Sequence, residues 1–294
     1  MKSRFKPPQV VVITGGNSGI GRSTAIVLAK AGYKVFATMR SLERGEKLRE
    51  ATSRLDLDIT AVELDVSNDE SVADGFRQIL RSTDHIDVLI NNAGIGSNAV
   101  IEDVNIELDK EVFETNFWGP VRCIQASLPT MRAQRSGHII QVSSIAGRIG
   151  LPAQPIYSAS KWALEGLSEN LAHDLSSFGI QVSIIEPGVT RTAILGKNNT
   201  VPDNADFADV YARMLDMYIE GIEANVRPEA VAETILECLG SSNMQLRWPV
   251  AWGAKTMVNA RHDGSVSDEE WFKIGSLVSN REEWMSSFRQ AFKL

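Results

Sequence analysis

Short runs of apolar and β-branched residues recur along the chain, and longer segments with helical spacing separate them. The predicted strands lie at 10–14, 33–39, 59–64, 86–91, 137–143, 180–186 and 246–250. Their apolar residues are continuous rather than alternating, which is typical of parallel strands that are covered on both faces. The helices predicted between them span 19–31, 41–54, 69–82, 107–135 and 157–177. This alternation predicts an α/β fold in which a doubly wound parallel sheet carries helices on both faces.

The alternation loosens in the last third of the chain, where helices are predicted at 207–223 and 229–239. Several residues between 193 and 225 are large and apolar: Ile194, Leu195, Phe207, Tyr211, Met214, Leu215, Met217 and Tyr218. They predict either an apolar lid over a substrate or a helix face that packs on the core. The amphipathic tail 268–294 is expected to cover the cleft or to contact a second subunit. We expect residues 1–294 to form a single domain whose lid region spans about 189–294.

Composition excludes some functions. The chain has 30 basic and 37 acidic residues and no basic block, which argues against nucleic acid or an anionic membrane as partner. Two distant cysteines and four histidines, expected at the surface or at strand ends, lack metal-ligand spacing, so no metal site is predicted. The N-terminal residues lack an apolar run long enough for a signal peptide or a membrane span. These features predict a cytoplasmic protein.

A glycine-rich turn, TGGNSGIG at 14–21, follows the first predicted strand and opens the first helix. In this position Gly15 permits a tight turn, Gly19 lets the backbone approach a pyrophosphate, and Gly21 allows close packing of helix and strand. The N–H groups at the helix start can then bind phosphates. The turn lacks the Gly-Lys-Ser/Thr ending of a Walker A loop. The pattern predicts a Rossmann-type site for a dinucleotide.

The end of the second strand bears on which dinucleotide binds. An acidic residue there would hydrogen-bond the ribose 2′-hydroxyl of NAD. The chain instead has Met39 followed by Arg40, and a guanidinium can bind a 2′-phosphate that a carboxylate would repel. We therefore expect NADP(H) to be preferred, with NAD(H) as the alternative cofactor.

Further motifs follow in order: LDV at 64–66, NNAG at 91–94, ETNFWG at 114–119, VSSIAG at 142–147, YSASK at 157–161 and EPGVTRT at 186–192. With the glycine turn, they make the chain resemble the single-domain branch of the short-chain dehydrogenase/reductase (SDR) family over roughly residues 8–195. The resemblance implies that Asn116, Ser144, Tyr157 and Lys161 are catalytic. Together with the turn and Arg40, it implies the following cofactor-binding residues: Gly15, Asn17, Ser18, Gly19, Ile20, Gly21, Arg40, Asp65, Val66, Asn92, Ala93, Gly94, Tyr157, Lys161, Pro187, Gly188, Val189, Thr190 and Thr192.

The resemblance also implies a homodimer or homotetramer that assembles through helices 107–135 and 157–177. The segment LRWPV at 246–250 resembles the last strand of hydroxysteroid and retinoid reductases. We therefore expect the partner of this site to be a small-molecule alcohol or carbonyl compound.

The expected chemistry is a proton transfer coupled to a hydride transfer. A free tyrosine has a pKa near 10, which is high for acid–base catalysis at neutral pH. Lys161 lies one helical turn after Tyr157, and a nearby ammonium is expected to lower the pKa of the phenol. Ser144 would hydrogen-bond the substrate oxygen. The resemblance adds a contact between Lys161 and the ribose hydroxyls, and a proton relay that includes Asn116.

Three other interpretations compete with this one. Ser158 and Lys161 form a Ser-x-x-Lys motif of serine acylation, but the partner motifs of that class are missing or out of order. An isomerase or dehydratase of the extended SDR branch would space its glycines differently. A sensor that binds NADP(H) without turnover is the remaining alternative. The sequence favours an NADP(H)-dependent oxidoreductase, a carbonyl reductase that interconverts a hydrophobic secondary alcohol and its ketone, or an alcohol and its aldehyde.

Overall fold

A seven-stranded parallel sheet with the strand order β3-β2-β1-β4-β5-β6-β7 forms the centre of the protein. The computed structural model describes residues 9–192, 201–276 and 281–294. The strands are β1 (Val10–Ile13), β2 (Lys34–Met39), β3 (Ile59–Glu63), β4 (Val88–Asn91), β5 (Gly137–Val142), β6 (Ile180–Pro187) and β7 (Arg247–Val250). The order reverses between β1 and β4, which opens a crevice at the carboxyl ends of these two strands.

Helices cover both faces of the sheet. They are α1 (Gly19–Lys30), α2 (Glu46–Leu55), α3 (Asp69–Ser82), α4 (Ile106–Phe113), α5 (Gly119–Gln134), α6 (Pro155–Asp174), α7 (Ala208–Glu223), α8 (Pro228–Gly240), α9 (Ala254–His262), α10 (Asp268–Ser276) and α11 (Arg281–Phe292). Strand β1 shows why the apolar runs are continuous. Val11 and Ile13 pack on one face with α1 and α8, whereas Val10 and Val12 pack on the other with α3 and α5. The predicted doubly wound sheet is confirmed.

The long helix predicted at 107–135 is interrupted. A π-helical segment, Glu114–Trp118, separates α4 from α5. Here Gly119 packs so closely on Val66 that an added Cβ would lie 2.8 Å from Cγ2 of the valine. Apolar spacing does not predict a single wider turn of this kind, because the residues on either side keep their helical periodicity. The segment bears on function because it carries Asn116.

The C-terminal part packs on the rest of its own chain. Tyr211 and Met214 of α7 form an apolar cluster with Val100 and Ala153, so much of the predicted lid face is core. Ile194 and Leu195 lie outside the described residues. In the tail, Trp284, Phe288 and Phe292 of α11 join a cluster that also contains Ile145 and Ile149. The tail therefore supports the segment that follows β5, on the same chain.

Several smaller expectations about histidine, tryptophan and cysteine residues can be compared with the structure. His138 is the second residue of β5, which agrees with a strand end, but it is buried, and its Nε2 lies 3.0 Å from Oγ of Ser183. Trp118 and Trp162 were expected in the core or at a subunit contact; they are about half exposed (47% and 50%), so the subunit contact stays a prediction. Cys123 and Cys238 are both buried. Within 9–192, 201–276 and 281–294, no helix is long and apolar enough to cross a membrane.

Candidate active site

A cavity of about 420 Å³ opens at the carboxyl ends of β1, β2, β4, β5 and β6. The structure brings almost all of the predicted site residues to its wall: Gly15, Asn17, Ser18, Gly19, Ile20, Gly21, Arg40, Asp65, Val66, Asn92, Ala93, Gly94, Ser144, Tyr157, Lys161, Pro187, Gly188, Val189, Thr190 and Thr192. Of the predicted set, Asn116 is absent from this wall. Segments far apart in sequence thus converge on one cleft, as the strand order requires.

The glycine turn leaves room that side chains would fill. Gly15 and Gly19 have φ angles of +68° and +51°, a region that favours glycine. A Cβ on Gly21 would lie 2.3 Å from the Gly15 carbonyl oxygen and 2.4 Å from Nδ2 of Asn92. Ser18 begins α1 without capping it through its side chain. A close turn that opens a helix at the cleft fits the pyrophosphate of a dinucleotide.

Thr14 joins this turn to the NNAG segment after β4. Its hydroxyl accepts hydrogen bonds from the backbone N–H groups of Asn92 and Ala93, both at 3.0 Å. In return, Nδ2 of Asn92 donates to the Thr14 carbonyl oxygen at 2.8 Å. Thr14 therefore fixes the distance between the two loops that line the cleft, the glycine turn and the NNAG segment.

Two exposed arginines stand where β2 ends. Met39 is buried, whereas Arg40 and Arg44 are exposed and line the cavity. Sequence reasoning missed Arg44, because a one-turn 3₁₀ helix (Leu42–Gly45) places it at the wall, and that turn is not visible as periodicity. The carboxylate of Asp65 is engaged with Ser67, accepting from its N–H at 3.0 Å and its hydroxyl at 2.7 Å. The positive charge at this end of the cleft comes from the two arginines.

Ser144, Tyr157 and Lys161 lie at the other end. Ser144 caps the 3₁₀ turn Ile145–Gly147, and its Oγ accepts from the N–H of Ala146 at 3.1 Å. Helix α6 carries Tyr157 and, one turn later, Lys161. The Lys161 side chain is buried; its Nζ donates to the Val142 carbonyl oxygen at 2.9 Å and lies 5.9 Å from the centroid of the Tyr157 ring.

The pKa of Tyr157 departs from expectation. Burial raises it above its ordinary value, and the opposing contribution is a hydrogen bond with Ser144. Lys161 was expected to lower this pKa, but its ammonium faces the Val142 carbonyl instead. Burial lowers the pKa of Lys161 itself to about 8, while the charge of Glu165 acts in the opposite direction. Burial therefore favours the neutral form of the phenol.

Asn116 lies behind the cavity wall. Its Oδ1 accepts from the N–H of Ile95, and its Nδ2 donates to the Ile95 carbonyl oxygen, both at 2.9 Å. Nδ2 also lies 3.1 Å from Oγ of Ser160. A Cβ on Gly94 would lie 3.2 Å from Oδ1 of Asn116 and 3.8 Å from Nζ of Lys161. Asn116 therefore ties the segment after β4 to α6, close to the lysine.

The serine of the competing Ser-x-x-Lys motif faces elsewhere. Ser158 is buried, does not line the cavity, and its Oγ makes no hydrogen bond with any residue that the structure describes. A nucleophilic serine must reach the substrate, and Ser158 does not. Tyr157 lies on the wall and Ser158 does not, so the tyrosine–lysine interpretation agrees with the geometry.

Residues beyond the predicted set complete the wall beside Tyr157. Leu151, Gln154 and Tyr218 line it, and Tyr218 comes from α7. The Tyr218 hydroxyl accepts from Nε2 of Gln154 and donates to Oδ1 of Asn98 at 3.0 Å. Of the apolar lid residues named from the sequence and described here, Tyr218 is the one that reaches the cavity.

This fold and this cavity define a Rossmann-type α/β protein whose cleft carries a glycine turn of the kind that holds a dinucleotide. Residues 9–202 match the family model described as short chain dehydrogenase, and the chain belongs to that family of oxidoreductases. Bovine (Bos taurus) retinol dehydrogenase 8 is 38% identical over 253 residues, which cover 82% of this chain and 80% of the relative.

Two further comparisons agree. The 3-ketodihydrosphingosine reductase of Bacteroides thetaiotaomicron is 37% identical over 248 residues, 83% of this chain and 88% of the relative. The crystal structure of a short-chain dehydrogenase from Streptomyces avermitilis superposes with a TM-score of 0.80 at 30% identity, covering 92% of this chain and 98% of that one.

Proposed function

We propose that this protein is an NADP(H)-dependent oxidoreductase that interconverts a hydrophobic secondary alcohol and its ketone, or an alcohol and its aldehyde. The observation that carries the proposal is the presence of Ser144, Tyr157 and Lys161 on the wall of the same cavity as the glycine turn. A proton-transfer group beside a dinucleotide cradle is what a coupled hydride and proton transfer requires. In this proposal the chain acts as one NAD(P)-binding domain.

The cofactor, when bound, supplies or accepts the hydride. The residues that would hold it are those of the glycine turn, the NNAG segment, and the stretch from Pro187 to Thr192. Lys161 would contact its ribose. Asn116 would support Lys161 through its bonds to Ile95 and Ser160. The remaining residues act on the substrate oxygen.

In the direction of reduction, the substrate carbonyl oxygen gains a proton as its carbon gains the hydride. Tyr157 donates that proton from its hydroxyl, and the raised pKa of the phenol keeps the proton available at neutral pH. Ser144 donates a hydrogen bond to the same oxygen and stabilises the charge that develops there. In the direction of oxidation, the phenolate of Tyr157 accepts the proton of the alcohol.

Tyr157→Phe tests this role. The variant keeps the ring and removes the hydroxyl, so we expect turnover to fall at least about a hundredfold while NADPH binding stays near wild type. The measurements are NADPH oxidation with a panel of ketones and aldehydes, and a separate titration of NADPH binding. A variant with near-wild-type turnover would refute the assignment of Tyr157.

The preference for NADP(H) rests on Arg40 and Arg44, which line the cavity where β2 ends. Removing both guanidinium groups is expected to weaken NADPH binding about tenfold or more and to leave NADH binding nearly unchanged. Arg54→Ala is the matched control, because Arg54 is an exposed arginine of α2 away from the cavity. Wild-type protein that binds NADH more tightly than NADPH would overturn this part of the proposal.

The substrate is proposed to be apolar, because Ile145, Leu151 and Tyr218 line the cavity near Tyr157. The relatives support this, since one is named for retinol and another for 3-ketodihydrosphingosine. The panel should therefore run from small aliphatic ketones to steroids, retinal and long-chain ketones. A sensor without turnover has no support in these comparisons, since the relatives named above are a dehydrogenase and a reductase.

Two further parts of the proposal concern the oligomeric state of the enzyme and its location in the cell. We infer a homodimer or homotetramer, because Trp118 and Trp162 expose large aromatic surfaces beside α5 and on α6. Light scattering at micromolar concentration tests it, and a monomer would refute it. The proposed location is the cytoplasm, which localisation of a tagged full-length chain tests.

A further inference from the structure

Four charged side chains meet in a buried cluster behind the catalytic group. We call Arg148, Glu165, Glu186 and Arg247 the buried charge cluster. Nε of Arg247 lies 3.0 Å from Oε2 of Glu165 and 3.4 Å from Oε1 of Glu186. Arg148 approaches the same carboxylates at 3.9 Å and 3.6 Å. The side chains of Glu165 and Glu186 are only 5% and 1% exposed.

Three members of the cluster stand next to a segment of the active site, and the fourth, Arg247, lies on the neighbouring strand β7. Arg148 follows the 3₁₀ turn that Ser144 caps. Glu165 lies one turn after Lys161 on α6. Glu186 comes directly before the Pro187–Gly188 pair of the cavity wall, and Arg247 begins β7. The cluster thus joins the segments that carry the serine, the lysine and the proposed cofactor contacts from Pro187 to Thr192.

Stability alone is a weak reason for such a cluster. Removing charges from water is unfavourable, and a buried ion pair often stabilises a protein no more than apolar residues of similar size. Both carboxylate oxygens of Glu186 are buried and lack a hydrogen-bond partner within the described part of the chain. Burial, followed by the charge of Glu165, raises the pKa of Glu186 to about 7. The charge of the Glu186 carboxyl group therefore changes near neutral pH.

Lys161 is the catalytic group that the cluster can influence. Glu165 lies one helical turn from it, and the carboxylate charge favours the ammonium form. Gly147 packs against both residues, because a Cβ there would lie 3.1 Å from Cγ of Glu165 and 3.1 Å from the carbonyl oxygen of Lys161. Oγ of Ser143 is nearer still, 2.7 Å from that Cβ position, so the start of the 3₁₀ turn and this part of α6 are in close contact there.

The other ionisable groups around the cluster are Glu169 and His262. Glu169, on the exposed side of α6, pairs with Nη2 of Arg247 at 2.6 Å. His262 ends α9, and its pKa is lowered by burial and by the two arginines. Beside Lys161 itself lies Tyr157, which is neutral until high pH. Among these groups, Glu165 is the buried carboxyl group nearest to Lys161 along α6. Burial raises the pKa of Glu165, and Ser143, Arg247 and Arg148 oppose that shift and favour its charged form.

We propose that Glu165, held in place by Arg148 and Arg247, is a positioning residue that keeps the Lys161 ammonium protonated inside its buried site. The consequence for the reaction rests on the proposed function, since it requires Lys161 to take part in turnover. The effect on the charge of Lys161 does not rest on it. The two parts can therefore be tested separately.

The first test follows the titration of Lys161 directly. Protein with ¹³C-labelled lysine is titrated by NMR, and the Lys161 signal is assigned from a Lys161→Arg variant. In the wild type we expect a midpoint near 8. Glu165→Gln should lower the midpoint by about one pH unit, because an opposite charge nearby is lost. Glu169→Gln is the matched control on the same helix, and Glu165→Asp should restore most of the wild-type midpoint.

The second test is the pH profile of kcat/KM with NADPH and a ketone. Loss of the ammonium produces the high-pH limb, and Glu165→Gln should move that limb down by the same amount as the NMR midpoint. An NMR midpoint equal in wild type and Glu165→Gln would overturn the proposal. A shifted midpoint with an unmoved limb would overturn its consequence for the reaction and leave the effect of Glu165 on the charge of Lys161 standing. A wild-type midpoint below 7 would also overturn the proposal, even if the variant does not fold. Wild-type protein without turnover would refute the proposed function alone, because the NMR result still decides on Glu165.

Discussion

The tail helix α11 is expected to be part of the folded core, and Phe288 is the residue that tests this. Its side chain is fully buried. The ring centroid lies 5.0 Å from that of Trp284 and 4.7 Å from that of Phe292. The same cluster contains Ile145 and Ile149, which lie in the segment between Ser144 and Tyr157. Truncating Phe288 to alanine therefore removes the centre of this support.

The expected loss of stability follows from the buried area. An aromatic side chain buries roughly 150–250 Å², and at about 25 cal/mol per Å² this corresponds to about 4–6 kcal/mol. The alanine retains part of that area, whereas the cavity left behind adds a further loss. We therefore expect Phe288→Ala to lower the free energy of unfolding by about 3–5 kcal/mol.

Equilibrium urea unfolding, followed by tryptophan fluorescence, measures this loss, provided that the slope of the transition is unchanged. Phe272→Ala is the matched control: it is a phenylalanine of the same tail that is 75% exposed, and its loss should stay within about 0.5 kcal/mol. If Phe288→Ala loses less than about 1 kcal/mol, or no more than Phe272→Ala, the tail is not part of the core and the reasoning fails.

Three further predictions follow from single positions. Gly21→Ala should weaken NADPH binding at least about tenfold in a fluorescence titration, because its Cβ would lie 2.4 Å from Nδ2 of Asn92 and displace the turn. Thr14→Val should lower the free energy of unfolding by about 1–3 kcal/mol, because two backbone N–H groups at Asn92 and Ala93 lose their acceptor; Thr14→Ser, which keeps the oxygen, should lose much less. Burial lowers the pKa of His138 to about 3, so the native state resists protonation and this residue's contribution to stability declines as pH falls from about 6.5 towards 3. The stability difference between wild type and His138→Gln should therefore shrink by about 1.4 kcal/mol per pH unit below 6.5, and a difference that stays constant from pH 7 to pH 5 would contradict the argument.

The parts of the fold that the sequence predicted are those with a local cause. The apolar runs of β1, β2, β4, β5 and β6 predicted the parallel sheet because these strands are buried on both faces, so that consecutive residues are apolar. The edge strand β3 is buried only at Val62. The motifs likewise identified residues that line the cavity. Most of them follow a strand end, whereas YSASK lies on α6 and ETNFWG spans the π-helical segment. The site residues named from the family resemblance agree with the cavity, with Asn116 one layer behind it.

What the sequence did not predict depends on contacts between distant residues. Arg44 reaches the wall only because a 3₁₀ turn follows β2, and Tyr218 reaches it only because α7 packs over Val100 and Ala153. The π-helical segment that holds Asn116 leaves the apolar periodicity of its neighbours intact. In each case the spacing along the chain is compatible with several positions, and tertiary packing selects one.

The pKa of Tyr157 shows the same limit in chemical terms. From the sequence, the spacing of Tyr157 and Lys161 implied that the ammonium lowers the pKa of the phenol. In the structure burial dominates, and the lysine donates to the Val142 carbonyl oxygen, so the phenol is held neutral. A neutral phenol suits the donor of a proton in carbonyl reduction, whereas the oxidation of an alcohol requires the phenolate. The charge environment of Lys161, and with it Glu165, therefore bears on the direction in which the site works best at neutral pH.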